Sequence, residues 1–284
     1  MEVITTAAAM TARRRALTGT VGLVPTMGYL HEGHLSLVRR ARAENDIVIA
    51  TVFVNPSQFG PHEDLATYPR DLPRDLALLE AEKTDIVFAP ATPAEMYPPG
   101  YQTWIDLTDL PTKLEGARRP GHFRGVATIV AKLFNLTRPH RAYFGQKDAQ
   151  QCVVIRRLVA DLNFDLEVVV CPTVREPDGL AMSSRNAYLS PEERVRAAVL
   201  YRALQAAAAA LAAGERDAEA LRQVMGQVLA AEPLAQVDYV SIADPETLDE
   251  LSGELRGPAL ASLAVRIGRA RLIDNLLLTP PAGL

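Results

Sequence analysis

Hydrophobic positions along the first part of the chain fall into two alternating textures. Short apolar runs rich in β-branched residues stand at 19–26 (GTVGLVPT), 47–56 (IVIATVFVNP), 85–90 (DIVFAP), 141–145 (RAYFG) and 165–172 (DLEVVVCP). Between them the apolar residues are spaced. Leu35, Val38 and Ala41 recur at helical intervals in 34–46, as do positions 126, 129, 130, 133 and 134 in 126–138. The segments 72–84 and 148–162 read the same way. Unbroken runs predict strands covered on both faces, and spaced residues predict amphipathic helices. Strand, helix, strand, helix in turn predicts right-handed βαβ units and a parallel sheet, which takes its ligands at the carboxyl ends of the strands.

Near residue 175 the texture changes. Ser190-Pro191-Glu192-Glu193 is a capping box with proline at the first helical position. It predicts one helix through LYRALQAAAAALAAG to about Gly214, and a second helix follows over 216–231. Strands are expected at 236–245, 261–268 and 271–278, with little chain between them. The pattern is α/β over 1–174, with a smaller α+β unit over 175–284.

Composition narrows the partners. Hydrophobic residues make up 48% and charged residues 23% of the 284, the balance of a soluble globular chain long enough for a sizeable core. A net charge of −4 argues against a nucleic-acid partner while leaving room for a local basic pocket. No apolar run is read as approaching the roughly 18 residues of a membrane span, so no membrane partner is expected. The arginines of MEVITTAAAMTARRR follow the apolar stretch instead of preceding it, so no secretory signal is expected. Two cysteines, Cys152 and Cys171, fit a reduced, cytoplasmic setting.

Candidate chemistry collects at strand ends. In VPTMGYLHEGHLSLV (24–38), His31 and His34 stand three apart where a strand gives way to a helix. HEGH is one residue short of the zinc-protease spacing, and His62, His122 and His140 are scattered, so a metal centre is not favoured. Anion binding fits better. Backbone N–H groups and the helix dipole favour phosphate there, two imidazoles add donors, and Gly28 and Gly33 permit close approach. A second cluster, YFGQKDAQQ (143–151), places Lys147 just after Gly145. A third, GLAMSSRNAYLS (179–190), sets Ser183 and Ser184 before Arg185, donors suited to phosphate oxygens. Gln58, at the end of the strand 47–54, could offer an amide to a hydroxylated acid, as could Gln150 or Gln151, and spacing does not choose among them.

These stretches carry a resemblance. VPTMGYLHEGHLSLV resembles the HIGH-type nucleotide motif and MSSRN its KMSKS-type partner. With FVNPSQF, YPRDL, RPGHFRGV, YFGQKDAQQ and LIDN, the chain from about 20 to 278 resembles the pantothenate synthetase (pantoate–β-alanine ligase) family. The resemblance implies a Rossmann-like nucleotide domain over 1–174 and a C-terminal lid domain over 175–284. It implies ATP-dependent joining of pantoate to β-alanine through a pantoyl adenylate, with Mg²⁺, in a cytoplasmic homodimer. Carried onto this chain, it implies that Met27, Gly28, Tyr29, Leu30, His31, Glu32, Gly33 and His34 line ATP. Gly145, Gln146, Lys147, Asp148, Val174, Met182, Ser183, Ser184 and Arg185 complete that site. His34, with His31, Lys147 and Arg185, carries the catalysis, and Gln58 and Gln151 hold pantoate. It does not name the ligands of the metal. Where the family commonly has Met between Pro and Gln in the strand-end motif, this chain has Ser57.

The chemistry required agrees with that reading. A carboxylate must approach the α-phosphate although both are negative, so positive donors are needed. Two rivals are a tRNA-synthetase-like or other nucleotidyltransferase and a non-catalytic nucleotide sensor. The acidic balance and the lack of a tRNA-binding extension count against the synthetase. The intact clusters count against the sensor.

Overall fold

The computed structural model describes residues 1–280. The chain divides into two compact units, Met1–Gly145 with Val154–Pro172, and Gln146–Val153 with Thr173–Leu284. The sequence pattern keeps 146–153 with the first domain and puts the boundary at 174. Within the second unit the side-chain amide of Asn275 donates to the carbonyls of Gln146 and Lys147, both at 2.9 Å.

The first unit begins with β1 (Glu2–Ile4) and α1 (Ala7–Arg15), neither of which the hydrophobic pattern predicts. Thr6 caps α1 by accepting from the Ala9 N–H, and Arg13, Arg14 and Arg15 fill its last turn, where the helix dipole favours cations. There follow β2 (Val21–Thr26), α2 (Glu32–Glu44), β3 (Ile47–Val52), α3 (Leu72–Ala81) and β4 (Ile86–Phe88). A long connection with the short helix α4 (Leu114–Arg118) leads to α5 (His122–Thr137), β5 (Arg141–Gly145), α6 (Ala149–Asp161) and β6 (Glu167–Cys171). The division between units falls inside α6. The strands lie in the order β1-β4-β3-β2-β5-β6 and every pairing is parallel, as predicted.

Burial on both sheet faces explains the unbroken apolar runs. Val24, Val48, Ala50, Val87 and Tyr143 pack with Leu37, Val38 and Ala41 of α2 and Leu79 of α3. Alternate residues Leu23, Ile49, Ile86, Phe88, Ala142 and Phe144 are also buried. The chain order reverses between β2 and β5, the switch point at which such sheets take ligands. Their ladder pairs only Gly22 with Arg141 and Leu23 with Ala142, leaving Val24–Thr26 and Tyr143–Gly145 unpaired with one another. The two strands are therefore not hydrogen-bonded to each other at their carboxyl ends, where such sheets take ligands.

The second unit contains α7 (Pro191–Arg196), α8 (Val199–Ala212), α9 (Ala218–Ala230) and an antiparallel sheet β7-β8-β9 (Gln236–Ala243, Ala259–Ile267, Ala270–Leu278). The single helix expected from Ser190 breaks at Ala197 and Ala198, although the capping box is present. The 22-residue stretch Pro191–Ala212 is also long and apolar enough to cross a membrane by length and composition, contrary to the sequence expectation. Its alanines raise the hydropathy, but Val199, Leu200, Ala203, Leu204, Ala207 and Leu211 are packed into the core formed with α9 and β8. Core burial accounts for that apolar face.

Candidate active site

The glycine-containing loop after β2 is built by long-range contacts. Gly28 and Tyr29 both take left-handed backbone, at φ 83° and 51°. A Cβ on Gly28 would meet Asp75 Oδ2 and Val52 Cγ1, each at 2.9 Å, so glycine is required on two counts. Asp75, buried on α3, accepts from the N–H groups of Tyr29 and Leu30, both at 2.7 Å. Burial pushes its carboxyl above the usual range, and these two N–H donors oppose the shift.

The loop delivers His31 to the N-cap of α2 in extended backbone, φ −138°. His34 sits three residues on, its ring centroid 4.1 Å from that of His31. His34 Nδ1 accepts from the His31 N–H at 3.3 Å, which puts the proton of the neutral ring on Nε2. A histidine held in this way at a helix start is a hydrogen-bond donor beside the positive end of the helix dipole. That is the chemistry of a phosphate site.

Gln58 ends a 3₁₀ turn, Pro56–Gln58, after β3. Its Nε2 reaches Met27 Sδ at 3.0 Å, so a predicted acid-binding residue and a predicted ATP residue touch within the first unit. Its Oε1 accepts from Asn55 Nδ2 at 3.1 Å. The backbone carbonyl of Gln58 accepts from His122 Nδ1 at 2.8 Å, while His122 Nε2 faces Arg119 at 3.1 Å. Arg119 in turn pairs through two nitrogens with Glu63, both at 2.7 Å. Burial first, then the Arg119 charge, pulls the His122 ring down to about 4, so it is neutral. Gly125 on α5 lies against the same turn: a Cβ there would fall 2.6 Å from the Gln58 nitrogen and nearer still to the Ser57 carbonyl oxygen.

In the second unit, Lys147 occupies the 3₁₀ turn Gln146–Asp148 that opens α6, with Nζ 3.3 Å from Asp148 Oδ1. Gln151 lies in the first turns of α6 and is half-buried, whereas Gln150 is buried. Val174 and Met182 are brought together beside an antiparallel bridge between Arg175 and Ala181, and the Met182 N–H donates to the Val174 carbonyl at 3.0 Å. Ser183 then caps the 3₁₀ turn Ser184–Tyr188 by accepting from the Arg185 N–H. One dipeptide of β9 ties these segments down. Asp274 accepts from Arg175 NH1 and NH2 at 2.6 and 2.9 Å, Arg175 donates to the Gly179 carbonyl, and Asn275 clasps Gln146 and Lys147. Gly145 ends the first unit, and Gln58 and Gln151 fall in different units.

Asn55, Asp75, Arg119, His122, Gly125, Arg175, Asp274 and Asn275 carry no role in the sequence reading. All but Asp75 and Arg175 lie inside FVNPSQF, RPGHFRGV or LIDN, stretches quoted above only as carriers of resemblance. The density of polar and glycine residues there was the available signal.

The family model described as Pantoate-beta-alanine ligase matches residues 2–277. A pantothenate synthetase of Roseiflexus sp. (strain RS-1) is 68% identical over 98% of this chain and 99% of its own length. That of Herpetosiphon aurantiacus is 61% identical over 98% and 100%. The crystal structure of pantothenate synthetase from Thermus thermophilus superposes with a TM-score of 0.92 at 53% identity, over 97% of this chain and 99% of that one. The pantoate-beta-alanine ligase of Francisella tularensis, solved as a complex with "Beta-gamma ATP and Beta-alanine", gives 0.80 at 34% identity, over 100% and 99%. With a family model spanning nearly every residue and full-length relatives at this identity, the chain belongs to the pantoate–β-alanine ligase family, the pantothenate synthetases.

Proposed function

We propose that this ligase activates pantoate with ATP as a pantoyl adenylate and then transfers the acyl group to β-alanine. In the first step a pantoate carboxylate oxygen attacks the α-phosphorus, an O–P bond forms, and the bond to the pyrophosphate oxygen breaks. In the second, the β-alanine nitrogen attacks the acyl carbon, AMP leaves with the bridging oxygen, and the amine loses its proton to solvent.

The observation that carries this reading is the contact of Gln58 with Met27. It puts an amide suited to a hydroxy acid on the loop that leads into a phosphate-type helix start. The complex of the Francisella relative supports ATP and β-alanine as partners here. From the first unit, Met27 to His34 line ATP, and His34, with its proton on Nε2, donates to a phosphate oxygen. His31 adds a second imidazole beside it. Gly145, which ends the first unit, and Gln146 to Asp148, Val174 and Met182 to Arg185 of the second serve the same nucleotide. Lys147 and Arg185 offset the repulsion between carboxylate and phosphate. Gln58 and Gln151 hold pantoate.

Among the described residues no three His, Cys, Asp or Glu side chains form a metal-holding group. Mg²⁺ carried on ATP phosphates asks for one or two carboxylates instead of a cage, and Asp148 beside Lys147 can supply one. Bound there, the ion neutralises phosphate charge.

The test is isotope exchange. With pantoate and Mg²⁺ present and β-alanine absent, labelled pyrophosphate should enter ATP, because the first step is reversible and needs no amine. Exchange that demands β-alanine, or that proceeds without pantoate, contradicts the stepwise route.

A further inference from the structure

Ser57, the departure from the family's strand-end pattern, takes part in a closed polar network. Asn55 is buried at 1% exposure. Its Oδ1 accepts from the Ser57 hydroxyl at 2.9 Å, the Tyr97 hydroxyl at 2.9 Å and the Ser57 N–H at 3.3 Å. The two hydroxyls are themselves 2.8 Å apart. Three oxygens thus stand in mutual contact with two hydroxyl protons among them. Both protons can point at Oδ1, or one can do so while its oxygen accepts the other. In either arrangement Oδ1 receives an O–H.

That occupancy, together with the Ser57 N–H on the same oxygen, sets which way the Asn55 amide faces. Its carbonyl is committed to the hydroxyls, so its NH₂ donates to the Gly125 carbonyl at 3.2 Å and to Gln58 Oε1 at 3.1 Å. Gln58 must then present Nε2 on its other side, where it meets Met27 Sδ. A thioether is a weak acceptor, and a ligand oxygen is the better partner for that donor. The Tyr97 ring is held by stacking on Trp104, centroids 5.7 Å apart, and by the edge of Tyr101 at 5.2 Å. Burial pushes its phenol up to about 12, so the hydroxyl keeps its proton at any working pH.

We propose that Tyr97 and Ser57 are positioning residues that lock Asn55, and through it Gln58, so that Gln58 meets the substrate acid only as a hydrogen-bond donor. The inference rests on the reading that Gln58 holds pantoate. It makes the site selective for an acceptor oxygen, a carboxylate or the lone pair of a hydroxyl, over a group that must donate.

The proton count sets the test. Either hydroxyl, with the Ser57 N–H, still satisfies Oδ1. Tyr97→Phe and Ser57→Ala should therefore each raise KM for pantoate by about threefold or less. The double variant should raise it by about 30-fold, well beyond the product of the two, while KM for ATP and the melting temperature stay near the parent values. A double variant no worse than that product, or one that moves both KM values together, overturns the lock. Gln58→Ala separates the premises: an unchanged KM for pantoate removes the reading beneath the proposal, and the proposal with it. A raised KM there with a silent double variant removes the lock alone. Should the double variant not fold, Gln58→Glu decides, because a carboxylate cannot donate. Loss of pantoate binding with ATP binding kept is expected, and retained pantoate binding refutes the donor role.

Discussion

Gly125→Ala is a one-carbon change that tests how Gln58 is placed. The added Cβ would fall 2.6 Å from the Gln58 nitrogen, where ordinary contact begins at 3.4 Å. The neighbours are backbone atoms of the turn Pro56–Gln58, not the end of a flexible side chain, so α5 and the turn must separate by about 1 Å. The shift also stretches the hydrogen bond from Asn55 to the Gly125 carbonyl. Overpacking of this kind costs about 1–3 kcal/mol, offset by about 1 kcal/mol from the better helix propensity of alanine. A melting temperature lowered by a few degrees is the expected result, with the fold retained. The catalytic effect is larger, since a displacement near 1 Å at a positioning group costs about 10²-fold. Steady-state kinetics should therefore show kcat/KM for pantoate down by about 10²-fold, with KM for ATP little changed. An alanine variant with parental kcat/KM for pantoate would refute the claim that this close approach places Gln58.

Two further expectations use the same supports. His122 titrates near 4 in the folded chain against about 6.5 unfolded, so the unfolded chain binds more protons between those values. Its stabilising contribution is whole above pH 6.5 and is lost as the pH falls towards 4, by at most about 3 kcal/mol. Denaturant titrations from pH 7.5 to 4 should fall more steeply for the parent than for His122→Asn, and parallel curves would contradict the assignment. Asn275→Ala leaves the carbonyls of Gln146 and Lys147 without their side-chain donor, a loss of about 1–3 kcal/mol. ATP affinity should weaken by about tenfold or more, and calorimetric titration that found parental ATP affinity would contradict the claim that β9 sets that segment.

Much of the fold was legible because its cause is local. Unbroken β-branched runs signal a doubly covered parallel sheet, and each of the five expected strands of that sheet is present. The strand Glu2–Ile4 was not legible, because three residues carry no period, and only the pairing with Ile86–Phe88 makes them a strand. The break at Ala197 and Ala198 was hidden for the opposite reason: alanine suits a helix so well that sequence gives no hint of an interruption. The chemistry-bearing groups proposed here were visible as polar clusters, two of the three phosphate-type ones at strand ends. Their supports were not, since Asp75 reaches Tyr29 across 46 positions and Asn275 reaches Gln146 across 129. Gly125 reads as an ordinary helix position until α5 is seen against Ser57.

His34 and Gln58 share one physical device. In both, one end of a side chain with two hydrogen-bonding ends is occupied, and the other end is thereby given a fixed sense. The His31 N–H occupies Nδ1 of His34 and leaves a donor at Nε2. Asn55 occupies Oε1 of Gln58 and leaves a donor at Nε2. Both then suit an oxygen-rich, negatively charged reaction centre, where a donor stabilises charge and an acceptor repels it. A histidine or glutamine free to flip would offer the wrong atom part of the time and would have to reorganise during the reaction. Shape alone is therefore a poor guide to which substitutions this site tolerates. On the proposed reading, a replacement of the right size but the opposite hydrogen-bonding sense places a lone pair against phosphate or carboxylate oxygen, which is worse than the water that fills a simple truncation.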